Sequence, residues 1–322
     1  MSRSRFQHRT EGVIMSTTRR VNHALFLAVI VVGLVVPGRA MHLLAAEVTP
    51  LRILLTNDDG YDTPGIKSVR EFLVAAGHDV TVVAPLRNQS GSGIRVTTQG
   101  TLDYKEQSTG VWSVDGSPAD SVLVGLFHIM ADQAPDMVVS GANFGPNLGY
   151  AGSSGTVGAA TMAMYAGLPA IAISVGIDPS ERDARPIPFP STFRAFAGAA
   201  ETTVRLISDL QEARIDHGNL LPERTILSVN YPAAKPEDIA GILVLPATWD
   251  SGVRINYEET GETGQLQIRL QLIDPDTAAD DNADWHSFAR GYVTVSILDG
   301  DSDAGESMRE AISQRLPMIR QQ

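Results

Sequence analysis

Apolar positions recur along the chain with two periods, and the changes of period mark out its elements. Residues 51–56 (LRILLT) form a short apolar run that ends in Asn57-Asp58-Asp59-Gly60, a turn composition. Asp62 or Thr63 can cap a helix whose first position is Pro64, where a missing N–H is not felt. Ile66, Val69, Phe72, Leu73 and Ala76 share one face of that helix, and Gly77 stops it. Residues 79–84 (DVTVVA) read as a second strand. Strand, helix and strand with short connections predict a parallel pair with a right-handed crossover.

The pattern repeats. Residues 118–130 read as a helix capped by Ser117, 136–140 as a strand, 156–165 as a helix ended by Gly167, 170–175 as a fully apolar strand, 192–214 as a long helix and 225–230 as another strand. Buried runs alternating with helices predict an α/β fold with a doubly wound, mostly parallel sheet. After about Pro232 the character changes. Segments 242–245, 253–257, 266–272 and 292–298 alternate apolar and polar residues with turns between them, and a helix at 307–315 closes the chain. The expected organisation is a core over 47–232 and an antiparallel C-terminal arm region with a final helix over 233–322. The aspartate-rich stretch 274–284 reads as an exposed loop.

The first 46 residues differ from all of this. Arg19 and Arg20 precede a 13-residue apolar run, 24–36, which is followed by Pro37-Gly38-Arg39-Ala40. A membrane span needs roughly 20 apolar residues and a signal-peptide core about 7–15. Residues 1–46 are therefore read as a signal peptide, cleaved after Ala40 or Ala46, with Met15 as a second candidate start. The expectation is an exported, periplasmic protein with no stable membrane anchor. An uncleaved leader anchoring the chain in a membrane is the alternative.

Charge sharpens the contrast. The 322 residues carry a formal net charge of −12, but residues 1–46 hold six Arg and one Glu, which leaves 19 basic and 36 acidic residues, net −17, in the remainder. Such a surface repels a phosphate backbone, so no nucleic acid polymer is expected as a partner. The absence of cysteine excludes disulfides, thiolate zinc sites, iron–sulfur clusters and cysteine nucleophiles.

Ligands of doubly wound sheets bind beyond the carboxyl ends of the strands. Four polar segments fall at such ends: 57–60 (NDDG), 85–91 (PLRNQSG), 140–143 (SGAN) and 152–158 (GSSGTVG). The adjacent carboxylates of Asp58 and Asp59, in a tight turn closed by Gly60, suit a hard divalent cation such as Mg²⁺ or Mn²⁺, with neutral oxygens from Ser90 and Asn143 completing a protein shell. Taken alone, Asp-Asp-Gly also fits a plain turn with a capping aspartate. Ser153, Ser154 and Thr156 lie where a helix N-terminus offers N–H groups and a positive dipole end to a phosphate, though a flexible loop with a Ser/Thr cap would look the same. No Lys follows the glycine-rich stretch, so it is not an NTPase loop, and no GxSxG elbow is present. The seven His form no close metal pair. Trp112, Trp249 and Trp285 read as packing residues, with Trp249 or Trp285 the alternative candidates to flank a base.

Taken together, these segments resemble the SurE family of survival-protein nucleotidases and phosphatases. The matching pieces are ILLTNDDGYDTPGI (53–66), VVAPLRNQSG (82–91), GSPAD (116–120), DMVVSGANFGPNLG (136–149), SGTVGAA (154–160), SVNYP (228–232) and DWHSFARGYVTVSIL (284–298). The resemblance implies a Rossmann-like core and a metal-dependent phosphomonoesterase that hydrolyses nucleoside monophosphates (a 5'-nucleotidase) by a metal-activated water. Carried over by motif position, the metal ligands would be Asp58, Asp59, Ser90 and Asn143, with Asp58 and Asp59 also catalytic. Asn88, Gly91, Ser154, Gly155 and Thr156 would bind the phosphate. The family further implies arms and C-terminal segments exchanged within a homodimer or homotetramer. Two departures stand out: many relatives have His-Ala where this chain has Asp62-Thr63, and Asp where it has Leu86. The rival readings are a broad acid phosphatase or polyphosphatase on the same site, and a non-catalytic periplasmic nucleotide- or phosphate-binding protein.

Overall fold

The structure is a computed structural model; it describes residues 49–149, 151–247, 253–272, 284–300 and 305–315. The leader, Trp249 and nearly all of the aspartate-rich stretch lie outside the described residues. No described helix is long and apolar enough to cross a membrane.

The first strand, β1 (Arg52–Thr56), is buried along almost its whole length because both faces of the sheet are covered. It pairs in parallel with β2 (Asp79–Pro85) on one side and with β5 (Met137–Phe144) on the other. The intervening hairpin, β3 (Tyr104–Ser108) and β4 (Val111–Val114), extends the sheet beyond β2. Past β5 come β6 (Ala170–Val175) and β7 (Thr225–Tyr231), both parallel. Then follow β11 (Tyr292–Asp299), antiparallel to β7, and β8 (Gly241–Val244), parallel to β11. The order is β3-β4-β2-β1-β5-β6-β7-β11-β8. A separate antiparallel hairpin joins β9 (Val253–Glu259) and β10 (Leu266–Leu272).

Helices α1 (Pro64–Ala75) and α4 (Pro190–His217) cover one face, and α2 (Pro118–Val124) and α3 (Gly155–Tyr165) the other. Alternate residues of β1 feed the two cores: Ile53 and Leu55 pack with Ile66, Val69 and Leu73 of α1, while Leu54 packs with Val157, Ala160 and Ala163 of α3. Each buried Ile, Leu or Val among these stabilises the fold by about 1.5–3 kcal/mol. Two short helices, α5 (Asp284–Ala289) and α6 (Glu306–Ser313), complete the described elements.

The alternating strands and helices of the sequence thus form the expected doubly wound, mostly parallel sheet, with local differences. The helix begun by Ser117 has a full capping box with Asp120, but turns π-helical at Gly125–Ile129. The strand expected to end at Ser140 continues to Phe144, its register shifting between Ser140 and Asn143, so Asn143 sits within β5. The last apolar segment, 292–298, forms β11 inside the large sheet, with an antiparallel partner on one side and a parallel one on the other.

Candidate active site

The chain runs outward from β1 through α1 to β2 and on to β4, then returns through α2 to β5 on the other side of β1, so the carboxyl ends of β1 and β5 flank a switch point where the covering loops part. Asn57, fully buried, shapes the turn that follows. Its Oδ1 accepts from Gly60 N at 3.1 Å, and its Nδ2 donates to Gly60 O and to Thr63 Oγ1, both at 3.0 Å. Gly60 takes φ +120°, a conformation that L side chains rarely adopt. The result turns Asp58 and Asp59 toward different neighbours over the same loops.

Asp58 is 3% exposed, and its Oδ1 accepts from the Thr156 hydroxyl at 2.6 Å. Burial pushes its carboxyl above the ordinary carboxylate range, while the Thr156 hydroxyl and the backbone N–H groups at the start of α3 pull it back. Gly155 makes this approach possible: a Cβ there would meet Asp58 Cβ at 2.7 Å and Ser92 Oγ at 2.8 Å. Asp59 Oδ2 accepts from Phe144 N at 2.9 Å, and its Oδ1 from Asn88 Nδ2 at 3.3 Å. Burial lifts its pKa to about 6; the Phe144 N–H opposes the rise, and the neighbouring Asp58 charge adds to it. Among the described residues no Lys or Arg pairs with either carboxylate.

Of the other expected residues, Asn88, Gly155 and Thr156 touch this pair, while Ser90, Gly91, Asn143 and Ser154 lie on the loops and strand end around it. The loop after β2 is stitched to the Asp58 backbone by Gln89 N to Asp58 O at 2.7 Å, and to the glycine-rich loop by Gly93 N to Ser153 O at 3.0 Å. Asn88 Oδ1 accepts from Ser90 N at 3.0 Å, so one side chain links Asp59 to Ser90. Ser90 and Gly91 are exposed at the rim. Asn143 is 8% exposed, and its Nδ2 donates to Gly145 O at 2.7 Å, which leaves its carbonyl oxygen as the end available to a ligand. Ser154 caps α3, its Oγ accepting from Val157 N at 3.1 Å. Thr156 spends its hydroxyl on Asp58.

Several residues of the site have tasks that the sequence motifs did not assign. Asn57 has the clearest structural task. Ser92 Oγ is buried beside Gly155 without a hydrogen-bond partner. Asn147 and Asp284 tether the glycine-rich loop, through Asn147 N to Asn230 Oδ1 at 2.7 Å and Gly149 N to Asp284 Oδ2 at 2.9 Å. Trp112 packs against Tyr104, ring centroids 5.9 Å apart, on the edge hairpin.

The donor set decides what could bind. Two adjacent, desolvated carboxylates with neutral amide and hydroxyl oxygens around them fit a hard cation that keeps several waters. Among the described residues no group of three or more His, Cys, Asp or Glu is placed to hold a metal, so a soft-metal or all-carboxylate cage is not what these residues offer. A larger cavity, about 490 Å³, lies at the amino ends of the strands near Pro169, Arg214 and Thr225, the opposite end of the sheet from the carboxylates.

A family model described as survival protein SurE matches residues 53–251. The 5'-nucleotidase SurE of Carboxydothermus hydrogenoformans is 34% identical over 280 residues, covering 78% of this chain and 98% of that protein. The 5'-nucleotidase SurE of Pseudoalteromonas atlantica is 32% identical over 264 residues, covering 81% and 97%. Among solved structures, the SurE protein from Aquifex aeolicus superposes with a TM-score of 0.66 at 31% identity, covering 82% of this chain and 99% of that one.

Proposed function

The chain belongs to the SurE family, and on that footing we propose that it is a nucleotidase that hydrolyses nucleoside monophosphates with the help of a divalent cation. The observation that carries the reading is the pair Asp58–Asp59: one buried and one half-buried carboxylate, both held above their ordinary pKa by desolvation, with no basic side chain paired to them among the described residues. Such a pair is costly to keep charged without a cation. The 5'-nucleotidase relatives support phosphate monoesters as the substrate class.

Asp58, Asp59, Ser90 and Asn143 would hold the cation. When bound, it would supply Lewis acidity toward water and the phosphate oxygens. Thr156 fixes the rotamer of Asp58, and the Phe144 N–H with the Asn88 amide fixes that of Asp59. Asp59 lines a cavity of about 370 Å³ together with Asn88 and Ser90, and is the carboxylate placed to take up a proton from the attacking water. Asn88, Gly91 and the α3 N-terminus at Ser154–Thr156 would border the place for the phosphate; the Gly155 and Thr156 N–H groups face Asp58, so the helix end would act on the phosphate through its dipole.

Assembly belongs to the same reading. In the β9–β10 register Ile255, Tyr257, Leu266 and Ile268 fall on one face, each more than half exposed. An apolar face of that size on a two-stranded hairpin is unfavourable in water, and its burial by a second copy in a homodimer or homotetramer removes the cost. The basic-then-apolar leader supports export of the mature enzyme.

The test is phosphate release from AMP, GMP, an aryl phosphate and tripolyphosphate, with Mg²⁺, Mn²⁺ or EDTA. Cation-dependent release from the nucleotides supports the reading. Nucleotide binding with no release under any cation overturns it.

A further inference from the structure

Beside the carboxylates the surface changes from polar to aromatic. A cavity of about 370 Å³ has both a polar lining, Asp59, Asn88 and Ser90, and an aromatic one, Phe144, Phe193 and Phe196. Phe144 follows Asn143 directly at the end of β5, and the same residue whose N–H holds Asp59 turns its ring toward α4. The Phe144 ring centroid lies 5.5 Å from that of Phe193 and 6.4 Å from that of Phe196, and Phe193 meets Phe196 nearly edge-on, at 6.0 Å and 80°. Phe193 and Phe196, three apart in the first turns of α4, share a helix face.

The rings are not equivalent. Phe196 is 4% exposed and belongs to the core, whereas Phe193 is 38% exposed. A phenyl ring backed by two others yet left open at the mouth of a carboxylate-lined cavity is a prepared surface for a planar apolar group. The two linings of the cavity match the two halves of a phosphate monoester of an aromatic alcohol or nucleoside.

We propose that this aromatic wall receives the planar part of the leaving group, with Phe193 as the stacking ring, and that it selects nucleotides and aryl phosphates over ring-free phosphate chains. The inference rests on the phosphomonoesterase reading above and adds the group that the enzyme reads. An inorganic oligophosphate is charged along its length and gains nothing from phenyl rings, while covering them with it strips water from its oxygens. Stacking is tolerant of base identity because every base has a π-face. The three rings carry no hydrogen-bonding group, so this wall recognises a ring without distinguishing adenine from guanine.

The experiment uses the full chain with Phe193→Ala and Phe193→Tyr. Adenosine, which has no phosphate, is titrated calorimetrically. Separately, kcat/KM is measured for AMP, GMP and tripolyphosphate with Mn²⁺. Expected for Phe193→Ala are a roughly tenfold weaker adenosine Kd and a roughly tenfold drop in the AMP-to-tripolyphosphate ratio, carried by KM. AMP and GMP should shift together, and Phe193→Tyr should restore both readouts. Absent adenosine binding in the parent protein, or an adenosine Kd and a substrate ratio unmoved by Phe193→Ala, would overturn the proposal. If no substrate is hydrolysed by the parent protein, the phosphomonoesterase reading fails by itself, and the adenosine titration still decides the role of the wall.

Discussion

Thr156 donates a 2.6 Å hydrogen bond from its hydroxyl to Asp58 Oδ1, joining the first turn of α3 to a residue 98 positions earlier at the end of β1. Removing that hydroxyl while keeping the shape, with Thr156→Val, is expected to cost 10–100-fold in cation affinity or kcat/KM, as for other residues that orient a ligand. Thr156→Ser should retain most of both. Manganese titration and initial rates on the three proteins check this. Equal cation affinity in the valine variant would show that the bond does not orient Asp58.

Gly155 is the other half of the same contact. A methyl group there would lie 2.7 Å from Asp58 Cβ, so Gly155→Ala forces α3 away from β1. The expected outcome is a destabilisation of about 1–3 kcal/mol together with a loss of phosphate release larger than stability alone explains. Urea melts read the first and rates at saturating cation the second. An alanine variant with parental melts and rates contradicts the packing described.

His78 supplies a pH test far from the site. It is buried, and its Nδ1 accepts from Leu51 N at 3.2 Å. Burial lowers its pKa. A histidine whose folded pKa is depressed costs stability as pH falls through its unfolded value, because the unfolded chain takes the proton first. Protonation would also abolish the acceptor. His78→Asn keeps an acceptor near that position and does not titrate. Between pH 7.5 and pH 5 the parent should lose more stability than this variant, as read by urea melts at each pH. Parallel stability profiles would refute the assignment.

The hairpin face makes a prediction about assembly. Tyr257→Lys with Ile268→Lys puts two charges on directly opposed positions of the exposed apolar face. The parent protein should run as a dimer or tetramer in light scattering, and the double variant as a smaller species. A monomeric parent contradicts the role given to the hairpin.

How far the sequence reached depended on whether a signal was local. The turn 57–60 and α1 were legible because Pro64 and Gly60 impose backbone geometry that any neighbourhood must accept. A helix start near 153–156 was legible from its Ser and Thr residues, but which of them caps α3, Ser154, was not. Strand β3 was not anticipated, since Tyr-Lys-Glu-Gln-Ser is an exposed edge strand with no buried face to impose a period. The extension of β5 to Phe144 was hidden by Gly141 and the shift in register that follows it. Asn57 and the Phe144–Phe193–Phe196 wall were invisible for a deeper reason: their roles exist only once β1, β5 and α4 are packed together. The expected ligand set rests on its resemblance to known motifs, whereas the hydrogen bonds that aim Asp58 and Asp59 come from β5 and α3 and required the fold.

The central claim is that Asp58 and Asp59 hold a cation that phosphate-ester hydrolysis needs. The most direct measurement is phosphate release from AMP by the parent protein and by Asp59→Asn, each with Mn²⁺ and with EDTA, alongside thermal melts with and without Mn²⁺. The account predicts release by the parent that EDTA abolishes, at least 100-fold less release by Asp59→Asn, and a Mn²⁺-induced rise in Tm confined to the parent. Full activity of Asp59→Asn, or release by the parent that persists in EDTA, would contradict it.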